Sequence, residues 1–599
     1  MPQPQVSELQ ISVLRIAVTA ITTAALSPLF VAEKTLSATF TLEEATIGDI
    51  NKAFDSGALT AESLTQLYLN RIEAYDDTLN SLIAVNPNAL SIAEALDIER
   101  QTIGPRSPLH GIPVILKDNF DTFDMPTTAG SLALEGSIPP DDAFIVQKLR
   151  DAGAIILAKA NMDELAHGGS PGGGYSSLGG QTLNPYNFNR GPSGSSSGSA
   201  AAIAANLGVI GLGSDTLGSI RGPSMDNSLV GLRPTLGLTS RDGIIPFSSS
   251  FDTGGPFART VEDLAITLSY ITGVDPNDPA TAASEGQFPA DYTAFLEENA
   301  FEGVRIGFLG GIPTGNPDLD AGFAQAIATI ESLGATIAAP IIPPIAELIP
   351  FFGPTGVFTT VSQTELKAEL ADYLATTDPE YPKTLAEVIA ISESPEVLNS
   401  EFPVNPTVLG RWQSAEARGS LSDPEYMAAI SLLAEVIAPS TEAILTANNI
   451  DALVYITSSC TATPLPGVDD PTFICSEDAI GLSALATAAG LPDVQVPAGF
   501  ASDGLPYTLS FLGLPYSEPE LLGFAYAFEQ ATKARKPPEF FAALPGETIE
   551  HSAIPEPTSV AALIGVGSVV AGSKFIKRRR FEQPVKDSKR SSSRLLGSL

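Results

Sequence analysis

Between residues 168 and 225 the chain is crowded with glycine and serine, yet that crowding encloses segments built for burial. The stretch reads GGSPGGGYSSLGGQTLNPYNFNRGPSGSSSGSAAA and then GLGSDTLGSIRGPS. A flexible linker has a similar composition. It would not also carry an Ala-rich helical run from Ser199 to Leu207, a short apolar strand from Val209 to Leu212, and charges at Asp215 and Arg221. Turns that approach other backbone closely and expose N–H donors account for the glycines better. The centre of the fold is therefore expected here, with the chemistry close to it.

The flanking sequence alternates. Leu59 to Ala74 has apolar residues at helical spacing behind Thr60, a cap candidate. Gly111 to Leu116 (GIPVIL) reads as a buried strand ending at Lys117, and Ala154 to Ala158 as another. Val304 to Leu309, Asp451 to Ile456 and Val494 to Val496 read as further strands. Strands alternating with helices imply an α/β fold whose sheet is covered on both faces. Residues 284 to 450 are richer in proline and long helical segments. They read as an elaboration packed on the core and facing the substrate. With 44% hydrophobic and 17% charged residues, the chain can fill a large core.

Several function classes drop out. Acidic residues number 69 against 32 basic ones, a net charge of −37. Such a surface repels phosphate backbones, so no nucleic-acid partner is expected. The three histidines and two cysteines form no HExxH or CxxC, and no EF-hand loop or P-loop occurs. No metal and no organic cofactor is implied. Two GxSxG matches centre on Ser170 and Ser196. An α/β-hydrolase would need a histidine after its serine, and only His551 qualifies, close to the C-terminal tail. His110, at a strand entry, and His167, in a turn, read as polar loop or cap residues.

A serine can instead be activated by a neutral lysine. GSSSGSAAAIAANLGVIGLGSDTLGSIRGPS, from Gly194 to Ser224, resembles the signature of the amidase signature family. GIPVILKDNFDT from Gly111, followed by MPTTAGS from Met125, resembles the family's lysine motif. KANMDEL from Lys159, GLRPT from Gly231, AGLP from Ala489 and FEQA from Phe528 also fit, so the resemblance spans about 42 to 535. It implies the amidase signature fold, a large mixed β-sheet covered on both faces by α-helices. It also implies a Ser–cis-Ser–Lys triad: Lys117 as base, Ser195 as bridging serine and Ser219, 24 positions later, as nucleophile. The oxyanion hole falls to backbone N–H groups of Thr216, Leu217, Gly218 and Ser219, with Gly194, Ser196, Asp215 and Arg221 in support. The substrate is then a small-molecule amide, hydrolysed to acid and ammonia or amine through an acyl-serine. Leu217 stands where the family commonly has glycine. Either it adopts an ordinary backbone conformation or activity suffers, which keeps open an impaired binding protein on the same fold. A role like that of the amide-cleaving component of glutamyl-tRNA amidotransferase is a third reading, opposed by the negative charge and the export features below.

The ends read as targeting segments. Arg15 precedes seventeen uncharged residues, Ile16 to Ala32, as in a secretory signal; a buried N-terminal helix is the alternative. Pro555-Glu556-Pro557-Thr558, an apolar run and Lys577-Arg578-Arg579-Arg580 resemble a PEP-CTERM sorting signal, apart from the tail that follows. A plain anchor helix is the alternative. The expected organisation is 1–38 export segment, 39–540 amidase domain, 541–554 linker, 555–580 sorting or anchor segment and 581–599 basic tail. The protein is expected in the cell envelope or outside the cell, with the C-terminal segment in a membrane and a sorting protease as a possible partner. In that compartment Cys460 and Cys475 are expected to form a disulfide, stabilising a short loop by about 3 kcal/mol. Oligomeric state is left open.

Overall fold

The apolar runs become strands of one sheet. In the computed structural model the described residues are 37–552, apart from 169–170, 310–313, 343 and 476–482. The expected export segment up to residue 36, the sorting segment, the basic tail and Ser170 lie outside them.

The strands in chain order are β1 (Ser37–Thr41), β2 (Leu82–Val85), β3 (Pro113–Lys117), β4 (Ile155–Ala160), β5 (Tyr175–Ser176), β6 (Gly180–Gln181), β7 (Ile210–Asp215) and β8 (Val230–Arg233). They continue with β9 (Thr253–Ala258), β10 (Arg305–Phe308), β11 (Thr336–Ile337), β12 (Ala452–Ile456), β13 (Asp493–Phe500), β14 (Pro506–Leu512) and β15 (Thr548–Ser552). Eleven of them form a mixed sheet in the order β11-β10-β12-β14-β13-β8-β9-β7-β3-β4-β2. β3 runs parallel to β4 and β7, whereas β9 is antiparallel to both β7 and β8. Every residue of β3, β4, β7, β8, β9, β12 and β14 is buried. A strand buried at every position must be covered on both faces, which is the α/β arrangement expected.

Six helices matter for the site: α1 (Ala61–Leu79), α2 (Ser197–Ala204), α3 (Arg221–Asp226), α4 (Val357–Leu374), α5 (Pro406–Glu416) and α6 (Glu518–Thr532). Thr60 caps α1 through a reciprocal capping box with Ser63. All eight residues of α2 are buried, and the helix packs on β3, β4, β7 and β9. Gly211 of β7 lets it lie close to the sheet: a Cβ there would stand 2.9 Å from Ile203. The helix ends at Ala204, earlier than the Ala-rich run suggests, because Asn206 turns into the left-handed region at φ 59°. β7 continues past Leu212 through Gly213 and Ser214 to Asp215, carrying polar residues into the centre of the molecule.

Two expectations change. The elaboration at 284–450 is not only a packed addition, since its β10 and β11 extend the central sheet. The stretch 541–554, read as a linker, belongs to the body up to the last described residue. Phe541 is buried, and β15 pairs antiparallel with β1 at the other end of the chain. Glu547, also buried, meets Arg71 of α1 at 2.8 Å. The same guanidinium donates to the carbonyls of Ala205, Asn206, Phe541 and Ala542. The sequence hides this because the strand's partner lies some five hundred residues away.

Candidate active site

Lys117 is the last residue of β3 and is completely buried. Its Nζ donates to Ser195 Oγ at 2.8 Å and to Ser214 Oγ at 2.8 Å, with the Ser214 carbonyl at 3.3 Å. Asn119, two residues on, donates to Ser214 Oγ at 3.0 Å. Burial lowers the Lys117 pKa to about 7, while the carboxylates of Asp163, Asp215 and Asp252 pull the other way. Near neutral pH much of this lysine is uncharged and able to accept a proton.

Ser195 follows a cis peptide bond after Gly194. Gly194 must be glycine, because a Cβ there would collide with Asp163 Oδ2. Ser196 N–H donates to the Ser219 carbonyl at 3.3 Å, and Ser196 Oγ to the Ser214 carbonyl at 3.1 Å. These bonds tie the Ser195 loop to the turn that carries Ser219. That turn is built on Asp215, whose carboxylate accepts N–H bonds from Gly218 at 2.9 Å and Ile220 at 3.0 Å. Arg221 Nε and a terminal nitrogen reach it at 3.1 and 3.0 Å, and Arg233 at 2.8 Å. Burial alone would raise this carboxyl, but the two guanidiniums outweigh it and hold it well below the usual carboxylate range. Arg221 also meets Asp493 at 3.4 Å. Asp215 and Arg221 thus form part of a buried ionic frame under the turn.

The oxyanion donors divide. Gly218 N–H is donated to Asp215 and is removed from the expected set. The Leu217 and Ser219 N–H groups have no acceptor among the described residues. Thr216 contributes its hydroxyl to Asp252 at 2.6 Å. Gly218 has φ 117°, a backbone that suits glycine alone, whereas Leu217 has no positive φ. Leu217 therefore sits in an ordinary conformation, with its side chain 40% exposed.

Ser195, Thr216, Leu217 and Ser219 line one side of a cavity of about 510 Å³. Phe247, Phe351, Phe352 and Phe358 supply an aromatic wall, the last three from the 284–450 region. α4 presents Phe358, Thr359, Ser362 and Gln363, and α5 presents Arg411. The Arg411 guanidinium donates to the Gly168 carbonyl. Among the described residues no carboxylate lines the cavity. His167 lines it as well, packed against Phe247 with the rings tilted by 60° and centroids 4.1 Å apart, and Nδ1 at 2.7 Å from the Leu165 carbonyl. Burial lowers its pKa to about 4, so it is neutral. His110 is remote, held between the Leu96 carbonyl and the Arg106 N–H. A second cavity, about 600 Å³, is lined by Tyr186, Phe188, Phe500 and Phe540 and holds none of these residues.

Sequence reasoning did not assign Ser214, Asn119, Asp252, Arg233 or the phenylalanine wall to the site. Ser214 and Asn119 flank quoted motif residues, a signal that was present. The phenylalanines are far away in sequence and carry none. Cys460 and Cys475 are joined by a disulfide, with Cα atoms 4.8 Å apart. Among the described residues no His, Cys, Asp and Glu cluster could hold a metal ion.

A family model described as Amidase matches residues 63–522. This chain belongs to the amidase family. A probable amidase of Arabidopsis thaliana is 38% identical over 518 residues, covering 85% of this chain and 94% of that protein. The native peptide amidase from Stenotrophomonas maltophilia superposes with a TM-score of 0.74 at 40% identity, covering 83% of this chain and 99% of that one. A component of the glutamyl-tRNA(Gln) amidotransferase of Symbiobacterium thermophilum is 34% identical over 502 residues, covering 81% and 96%. The eleven-stranded sheet is thus the amidase signature fold, and the protein is a hydrolase of carbon–nitrogen bonds by family.

Proposed function

We propose that this amidase hydrolyses carboxamides through an acyl-Ser219 intermediate, with Lys117 as base and Ser195 as proton relay. The observation that carries the reading is the 2.8 Å bond from a fully buried Lys117 to Ser195, in a cavity shared with Ser219. Neutral Lys117 takes the Ser195 proton while Ser195 takes that of Ser219. Ser219 Oγ attacks the amide carbon, and the oxyanion accepts N–H bonds from Leu217 and Ser219. The relay runs back as the C–N bond breaks, so the nitrogen leaves as neutral ammonia or amine. Water, deprotonated by the same route, then releases the acid from Ser219.

The aromatic wall supports amides with apolar or aromatic groups near the scissile bond. The presence of Arg411 supports neutral or anionic substrates over cationic ones. The name of the peptide amidase makes peptide amides the first class to screen. Amidotransferase relatives favour a tRNA-linked role, but the net charge of −37 opposes it. The ordinary backbone of Leu217 removes the main argument for an impaired site.

The test is kcat/KM on a panel of carboxamides for the wild type and Ser219→Ala. Loss of a serine nucleophile costs on the order of a millionfold in kcat; full retention of activity would sink the reading. Export and surface attachment belong to the same proposal. They are motivated by the apolar run from Ile16 to Ala32, the basic cluster at Lys577 and the disulfide. Recovery of the native protein wholly in the cytoplasmic fraction would overturn that part.

A further inference from the structure

Asp163 is a buried carboxylate that the proton relay does not use. It follows β4 and touches the Ser195 loop in two ways. Its N–H donates to the Ser195 carbonyl at 3.1 Å. Its Oδ2 occupies the space where a side chain on Gly194 would stand. Its Oδ1 accepts the Gly174 N–H, so it also grips the glycine turn before β5. That turn presses on the same loop: Ser193 N–H donates to the Gly172 carbonyl at 2.8 Å, and a Cβ on Gly173 would lie 2.6 Å from the Ser193 carbonyl carbon. Asp163 thus bonds the Ser195 loop through its backbone and the glycine turn packed on that loop through its carboxylate.

The charges around Lys117 come from Asp163, Asp215 and Asp252. Asp215 is bonded to two guanidiniums. Asp252 accepts the Thr216 hydroxyl and the N–H groups of Phe247 and Ser248. Asp163 is the one of the three that also contacts the Ser195 peptide, and the cations it feels are Lys117 and Arg411. We infer that Asp163 is a positioning residue of the site, which seats Ser195 against Lys117 and, as an anion, strengthens Lys117 as a base. Burial alone would leave a lysine that is neutral but weakly basic. A nearby carboxylate restores proton affinity toward the working pH, where a general base is most effective. Burial also raises the Asp163 carboxyl to about 6, below the value of about 7 at which Lys117 loses its proton.

The inference rests on the reading of Lys117 as the base, and the experiment separates the two. The rate of Ser219 phosphonylation by a fluorophosphonate is measured against pH for the wild type, Asp163→Asn and Asp163→Ser. No amide substrate is needed. Removing the anion makes Lys117 easier to deprotonate, so the acid limb moves to lower pH, by roughly one unit. The plateau rate falls as well, because the base is weaker. A folded, labelled Asp163→Asn whose acid limb coincides with that of the wild type overturns the inference, whatever its plateau. If Asp163→Asn does not fold, Asp163→Ser, whose smaller hydroxyl can still accept the Gly174 N–H, decides in the same way. A folded wild type that does not label instead overturns the base reading, and this inference with it.

Discussion

Lys117 must shed a proton before it can accept one, and burial has brought its pKa down to about 7. The sign follows directly. Below pH 7 the lysine is protonated and the relay is closed; as pH rises through 7 it opens. A plot of log kcat/KM against pH is expected to rise with unit slope and level off above about 7. An acid limb near pH 4, the carboxylate range, would contradict a lysine base. Gly218 and Leu217 make a second prediction. Gly218→Ala places a side chain at φ 117° and is expected to cost activity by shifting the donors at Leu217 and Ser219. Leu217→Gly relieves no strain and is expected to keep kcat, losing about 0.5–1 kcal/mol of stability by a freer backbone. A kinetic comparison of the pair checks this. At this scale the reading from sequence went as far as the motifs do. Lys117 stands at a strand end, and Ser195 and Ser219 stand in a recognisable pattern. Asp163 lay inside a matching segment without a role, because its role depends on contact with Gly174 and Gly194, which only the fold brings together.

The helices of the elaboration choose what the site sees. α4 turns Phe358, Thr359, Ser362 and Gln363 toward the cavity, while Glu365 on the same helix accepts Ser248 and Ser250 of the loop beside Asp252. Asp252 in turn holds Thr216. The helix is therefore clamped to the nucleophile turn on one side and exposed to the substrate on the other. Phe358→Ala is expected to raise KM for aromatic amides about tenfold, an apolar contact of about 1.4 kcal/mol, and to leave kcat nearly unchanged. Equal losses in kcat and kcat/KM would show instead that α4 supports the chemistry. The alternating strands and helices were legible because buried strands write continuous apolar runs. Of the two strands of the elaboration, β10 was read from its apolar run, whereas the two-residue β11 carries too little pattern to be seen.

At the scale of the described residues, the first and last segments meet. β1 and β15 pair, and Arg71 and Glu547 form an ion pair that water does not reach. Glu547→Gln leaves Arg71 charged and uncompensated in the interior, and is expected to cost about 3–5 kcal/mol. Urea unfolding would show this as a lower midpoint. A midpoint equal to the wild type would return 541–552 to the status of a tether. Here the sequence misled for a physical reason: β15 (TIEHS) has a single large apolar residue, Ile549, and pairing between distant segments leaves no local signature. The centre of the sheet was partly legible: β3, β4, β7, β12 and β13 carry short apolar runs, while the glycine-containing β8 and β9 and the polar-interrupted β14 do not.

Everything proposed for the chemistry depends on Ser219 being activated by Lys117 through Ser195. The most direct measurement is mass-spectrometric mapping of a fluorophosphonate adduct on the purified protein, beside Ser219→Ala and Lys117→Ala. One adduct is predicted, on the peptide containing Ser219, abolished in both variants while each remains folded. An adduct on another residue, undiminished labelling in Lys117→Ala, or a folded wild type that takes no label would contradict it.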